Sequence, residues 1–87
     1  MPTVAIPSLM RNLTDGEDIV SVKGNTLREI INNLENRYPG TKEKLCDGDR
    51  IHPSVNVYIN GVLTRTAMHD HVDEDAELHF LPAISGG

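Results

Sequence analysis

The sequence predicts an α+β fold in which a mixed sheet of about five strands packs on one main α-helix, and three observations carry that reading. Leu27, Ile30, Ile31, Leu34 and Tyr38 fall at offsets 0, 3, 4, 7 and 11, a single apolar helical stripe. Short segments of alternating apolar residues flank that stripe, two before it and three after it. Between two of the later segments stands Asn60-Gly61, the pair favoured in a two-residue hairpin turn. One helix with one apolar stripe finds its only large partner in the inner face of a sheet, so the two layers pack together.

Each element has its own warrant. Thr3 to Ile6 alternates, with Val4 and Ile6 on one face, and Pro7 closes it as a first strand. Leu9 to Leu13 shows no clean period, and Thr14-Asp15-Gly16 signals a turn. Ile19 to Lys23 reads as a second strand, antiparallel to the first, with Val20 and Val22 inward. Thr26-Leu27-Arg28-Glu29 has capping-box spacing, so Thr26 and Glu29 are expected to satisfy each other's backbone donors. Tyr38-Pro39-Gly40 stops the helix, whose other side, with Arg28, Glu29, Asn32, Asn33, Glu35 and Asn36, reads as a solvated face. Thr41 to Cys46 offers one further turn of helix with Leu45 tucked under, and Asp47-Gly48-Asp49 a turn. Val55 to Ile59 is a third strand with Val55, Val57 and Ile59 inward, and Val62 to Arg65 returns as a fourth. Glu74-Asp75-Ala76 turns the chain into a last strand with Leu78 and Phe80 inward and His79 and Leu81 outward. Assembled, these elements form a β-grasp arrangement with the final strand central, beside the first.

Composition bounds the function. Eighty-seven residues make one small domain, and with three aromatic side chains and no tryptophan the core is aliphatic. The formal charge of -5 disfavours nucleic acid, which selects basic patches, and suits basic partner surfaces. No stretch approaches the length of a membrane span, and a single cysteine excludes an internal disulfide, so a cytoplasmic protein is expected. Cys46, beside Leu45 and without a CxxC partner or flanking histidine, reads as a small buried hydrophobe. His69, Asp70, His71 and Asp73 lie close together but lack a third ligand at a defined spacing, so no metal is assigned.

The chemistry concentrates in the last eight residues, Phe80 to Gly87. Pro82 cannot donate to a ladder and marks where the last strand is released. Side-chain bulk then falls away toward Gly86 and Gly87, which lack Cβ and fit a channel too narrow for side chains. An α-carboxyl titrates near ~3.5, so Gly87 presents a carboxylate able to attack an activated phosphate. The expected organisation is a domain over residues 1–82 and a flexible Gly-Gly tail over 83–87.

Val55-Asn56-Val57-Tyr58-Ile59-Asn60-Gly61 and the ending Phe80-Leu81-Pro82-Ala83-Ile84-Ser85-Gly86-Gly87 make the chain resemble the ubiquitin-like sulfur carriers over essentially its whole length. That family includes the small subunit of molybdopterin synthase, the thiazole-pathway carrier and the carrier of cysteine biosynthesis. Val4 to Arg11 and Gly24-Asn25-Thr26-Leu27 look most like the cysteine-pathway branch. Ser85 stands where alanine is usual and Asp75 where the family's turn commonly has glycine, a place where aspartate tolerates a left-handed backbone.

The resemblance implies a carrier rather than an enzyme. A partner adenylyltransferase resembling ubiquitin-activating enzymes uses ATP and magnesium to convert the Gly87 carboxylate into an acyl-adenylate. Sulfur then displaces AMP, leaving a C-terminal thiocarboxylate. A sulfur-accepting enzyme, such as cysteine synthase or the large subunit of molybdopterin synthase, takes the sulfur from it. Gly87 is then the reactive residue and Gly86 its clearance, while Leu81, Pro82, Ala83, Ile84 and Ser85 form the recognition tail. Strand alternation adds Tyr58, His79 and Leu81 as an outward docking patch. Cysteine biosynthesis is the leading pathway, molybdenum cofactor assembly the runner-up, and a protein modifier forming isopeptide bonds the alternative from another class.

Overall fold

The computed structural model describes residues 1–64 and 68–82. Strands β1 (Thr3–Ala5) and β2 (Ile19–Ser21) pair antiparallel, joined by a 3-10 helix over Ser8–Leu13 and a turn. Helices α1 (Leu27–Arg37) and α2 (Thr41–Leu45) follow. Cys46–Asp47 (β3) and Arg50–Ile51 (β4) then form a small two-stranded sheet. Val55–Ile59 (β5) and Val62–Thr64 (β6) make a hairpin, and β7 (Glu77–Pro82) ends the described chain. The five-stranded sheet has the order β2-β1-β7-β5-β6, with β7 parallel to β1 and antiparallel to β5. This is the expected β-grasp sheet, with the final strand at its centre.

The core is aliphatic. Val4, Val20, Val57, Leu78 and Phe80 from the sheet meet Leu27, Ile30, Ile31 and Leu34 from α1, all buried, with Leu45 and Cys46 closing one end. Val55 and Ile59 are half-buried against the same cluster, so the three inward positions of β5 are as expected. Gly24 allows the close approach of strand and helix: a Cβ there would stand 2.7 Å from Ile30 Cγ1 and 2.8 Å from its backbone nitrogen. The Asn60-Gly61 turn has positive φ at both residues, 53° and 81°, the geometry that a two-residue hairpin requires.

Several local expectations are corrected. The segment without a period is a 3-10 helix, started after Pro7 and burying Met10 against the core. The second strand stops at Ser21, two residues short of Lys23, although Val22 stays buried. In the capping box, Thr26 Oγ1 accepts from the Glu29 N–H at 3.2 Å, but Glu29 Oε1 reaches past Thr26 to the Asn25 N–H at 3.1 Å. Thr26 instead faces His71 in an isolated bridge, and the neighbouring Val72 N–H bonds to the Asn25 carbonyl at 2.8 Å. The residues 73–76 close by an Ala76 N–H to Asp73 carbonyl bond of 3.0 Å. Among described non-glycine residues only Asp15 and Asn60 have positive φ, so Asp75 passes through its turn without a left-handed backbone. The fourth strand is described over Val62–Thr64, as expected, and its expected last residue, Arg65, lies outside the described residues.

The polar side of α1 is not simply solvated. Glu35 accepts from the Gly40 N–H at 3.1 Å and from the Lys42 N–H at 3.0 Å, so its carboxylate holds the start of α2. Asn32 Oδ1 accepts from Lys42 Nζ at 2.7 Å, and Asn33 Nδ2 donates to the Lys23 carbonyl at 2.9 Å. Helical spacing shows which residues point away from a core; it does not show which backbone donors await them across a loop.

Candidate docking face and tail mount

Strand β7 is the mount for the chain's end. It is bonded on both sides, by β1 along Glu77, Leu78 and His79 and by β5 from Leu78 to Pro82. Its start is fixed again at the hairpin: the Asn60 N–H donates to the Glu77 carbonyl at 2.9 Å and the Glu77 N–H to Asn60 Oδ1 at 3.0 Å. Leu81 and Pro82, expected in the recognition tail, belong to this strand, opposite Asn56 and Val55. Its last described paired residue is Pro82, opposite Val55. Ala83, Ile84, Ser85, Gly86 and Gly87 lie outside the described residues.

The outward face of the sheet gathers the other predicted residues. Tyr58 stands directly opposite His79, and Leu81 lies two residues farther along the same strand and hence on the same face. The pairing adds residues that strand-by-strand reading missed. His79 pairs with Ala5, Ala5 with Ile19, and Tyr58 with Leu63, so Ile19, Ala5, His79, Tyr58 and Leu63 form one row across all five strands. Ile19 is 60% exposed, and Leu63 and Leu81 are each 45% exposed. Alternation indicates the face of each residue, but only strand order makes them neighbours. The next row away from the tail, Ser21, Thr3 and Glu77, is polar. The apolar part of the face is therefore the part beside the strand end from which the tail leaves.

Two cavities flank that strand end. One, of about 390 Å³, lies between the 3-10 helix, α2 and β5, where Met10, Leu45 and Phe80 give it an apolar wall and Lys44 stands at its rim. The other, of about 420 Å³, lies toward β2, with Arg11 and Asp18 as its charged groups. Both share Pro7, Phe80 and Leu81.

The remaining candidates lie away from this face. Cys46 is buried, and burial pushes its thiol up from the ordinary value, with the Lys42 charge opposing more weakly. A thiol so placed is held neutral, which is the opposite of an activated nucleophile. His71 Nε2 stands 3.3 Å from Asp73 Oδ1, with both side chains exposed. Among the described residues no group of three or more His, Cys, Asp or Glu is gathered that could hold a metal ion. No described helix is long and apolar enough to cross a membrane.

Comparison with known proteins agrees with this architecture. The family model described as "ThiS family" matches residues 4–87. The sulfur carrier protein CysO of Mycobacterium bovis is 36% identical, over 98% of this chain and 97% of the relative, as is that of Mycobacterium tuberculosis. Among solved structures, a chain of the Amycolatopsis orientalis BexX/CysO complex superposes with a TM-score of 0.91 at 37% identity, covering 100% of both chains. Mycobacterium tuberculosis CysO gives 0.89 at 32% identity, covering 97% of this chain and 100% of that one. Small archaeal modifier protein 1 from Methanosarcina acetivorans gives 0.79 at 23% identity, covering 99% and 95%, a likeness of fold alone.

Proposed function

Because this chain belongs to the ThiS family, we propose that it is a sulfur carrier whose C-terminal Gly87 is activated by one partner enzyme and donates sulfur to another, in cysteine biosynthesis. The observation that carries the proposal is the full-length relationship to CysO, together with a central strand whose end adjoins the exposed apolar side chains of Ile19, Leu63 and Leu81.

In this reading the carrier contributes position, and its partners supply the catalytic groups. A Gly87 carboxylate oxygen attacks the α-phosphorus of ATP in a ubiquitin-activating-enzyme-like adenylyltransferase, and pyrophosphate leaves. A sulfur nucleophile attacks the resulting acyl carbon, AMP leaves, and a thiocarboxylate remains. That sulfur ionises readily and is a better nucleophile than carboxylate oxygen, so it can attack an electrophile held by the accepting enzyme. Hydrolysis or a later cleavage regenerates the acid. Docking through Tyr58, His79 and Leu81 holds the carrier while Ala83, Ile84 and Ser85 thread the tail and Gly86 gives clearance. Such positioning replaces a bimolecular search by a nearly intramolecular one.

Intact-mass measurement of the protein isolated from its own host tests the carrier reading. A species in which one oxygen is exchanged for sulfur supports it; a ladder of conjugates would favour a protein modifier instead. To test the pathway, the thiocarboxylate form is offered to cysteine synthase with an activated serine and, separately, to the large subunit of molybdopterin synthase. Cysteine formed in the first assay alone supports cysteine biosynthesis, and turnover in the second alone moves the protein to molybdenum cofactor assembly.

A further inference from the structure

The five-stranded sheet ends in β2 on one side and β6 on the other, and the two edges are finished differently. In the β1–β2 pair the Val22 N–H bonds to the Pro2 carbonyl and the Ile6 N–H to the Asp18 carbonyl, so the even-numbered residues of β2 face β1. Ile19, Ser21 and Lys23 therefore turn their backbone groups away from the sheet. Helix α1 closes that side: Arg37 Nη1 donates to the Ser21 carbonyl at 3.4 Å and Asn33 Nδ2 to the Lys23 carbonyl at 2.9 Å.

Strand β6 has no such cover among the described residues. The two-residue turn makes Ile59 and Val62 the hydrogen-bonded closing pair, so Tyr58 and Leu63 form the next, non-bonded pair. The N–H and carbonyl of Leu63 hence point away from β5. Val62 is 61% exposed on one face of this edge and Leu63 45% on the other, and Val62–Thr64 carries no charge, proline or glycine. Exposed edges are ordinarily blunted by such features, because an open ladder recruits another strand.

We propose that β6 is a strand-addition site for an extended, uncharged segment of the activating enzyme, a proposal that rests on the carrier reading above. A second copy of the chain is the poorer occupant. Pairing three residues with three buries far less than the ~1,200 Å² of a stable interface. An enzyme already covering the row Ile19, Ala5, His79, Tyr58 and Leu63 reaches the edge without a break, since Leu63 belongs to both. The added strand gains two backbone bonds at Leu63, and its alternating side chains, apolar on both faces, cover Leu63 and Val62 in turn.

The test uses the whole carrier and the adenylating enzyme of its own host. Amide hydrogen exchange at Leu63 is measured free and with saturating enzyme, and carrier-dependent ATP–pyrophosphate exchange is followed in parallel. The expected result is at least tenfold slower exchange at Leu63 in the complex. L63P, which relative to L63A removes a donor pointing away from β5, should raise KM for the carrier by up to about tenfold more than L63A, the value of one hydrogen bond. Val62→Lys keeps the strand intact and should raise KM similarly, which covers the case in which the proline variant unfolds. Normal pyrophosphate exchange with an unprotected Leu63 amide, or equal effects of L63P and L63A, overturns the edge proposal alone. Protection of Leu63 by raised carrier concentration without enzyme overturns it in favour of self-pairing. A wild-type carrier that supports no pyrophosphate exchange overturns the carrier reading and this proposal together.

Discussion

The two faces of β7 divide the protein's work between them. Leu78 and Phe80 point inward and are 0% and 1% exposed, whereas His79 and Leu81, one residue away in each case, stand in solvent on the outer face. A strand alternates strictly, so residues 3.3–3.4 Å apart along the chain serve different demands. Stability is concentrated on one face, and the proposed recognition surface lies on the other. The proposed docking surface can therefore vary without disturbing the core, although one central strand carries both.

The sharpest way to break this division is at the chain end. A residue added after Gly87 should abolish thiocarboxylate formation while leaving the melting temperature unchanged, as measured by intact mass and thermal denaturation. Activity surviving the extension would separate the tail from function altogether. On the inner face, Phe80→Ala should destabilise the fold by about 3–5 kcal/mol in denaturant titration, through lost burial and the cavity left behind. A loss below ~1 kcal/mol would mean that β7 is not the core strand described.

Away from β7, Glu35→Ala should destabilise by about 1–3 kcal/mol, because the Gly40 and Lys42 N–H groups lose a charged acceptor. An unchanged titration midpoint would return that side of α1 to the solvated reading. On the outer face, the pair Y58S and L81S should shift stability little, yet weaken association with the activating enzyme about tenfold in calorimetric titration. Unchanged affinity would remove the docking face.

A smaller effect concerns pH. Burial raises the Cys46 thiol, so the folded state holds its proton more tightly than the unfolded chain does. Stability from this group is complete below the unfolded thiol's value, about 8.5. It declines as pH rises through the higher folded value. Cys46→Ser should flatten this alkaline decline in midpoints measured from neutral pH upward, and a decline that persists unaltered would assign it to other groups.

Much of this architecture is legible in consecutive residues. The stripe from Leu27 to Leu34, the alternation of Val4 with Ile6 and of Leu78 with Phe80, and the Asn60-Gly61 turn are local patterns that local geometry enforces. The diglycine ending and its family resemblance are likewise written in one short run of the chain. Partnerships across the chain are not legible in this way. The bonds from Glu35 to Gly40 and Lys42, the small sheet of β3 and β4, and the roles of Ile19, Ala5 and Leu63 beside His79 depend on which segments meet.

The linear order of residues thus determined the helix, the strands and their inward faces, because each follows from periodicity. Only the tertiary structure decided that five strands contribute one continuous outward row, that α1 shuts the β2 edge through Arg37 and Asn33, and that the β6 edge stays open among the described residues. The physical reason is that a strand's side-chain direction is local, whereas its neighbour, and therefore what its edge and outer face meet, is set by the packing of the whole sheet on its helix.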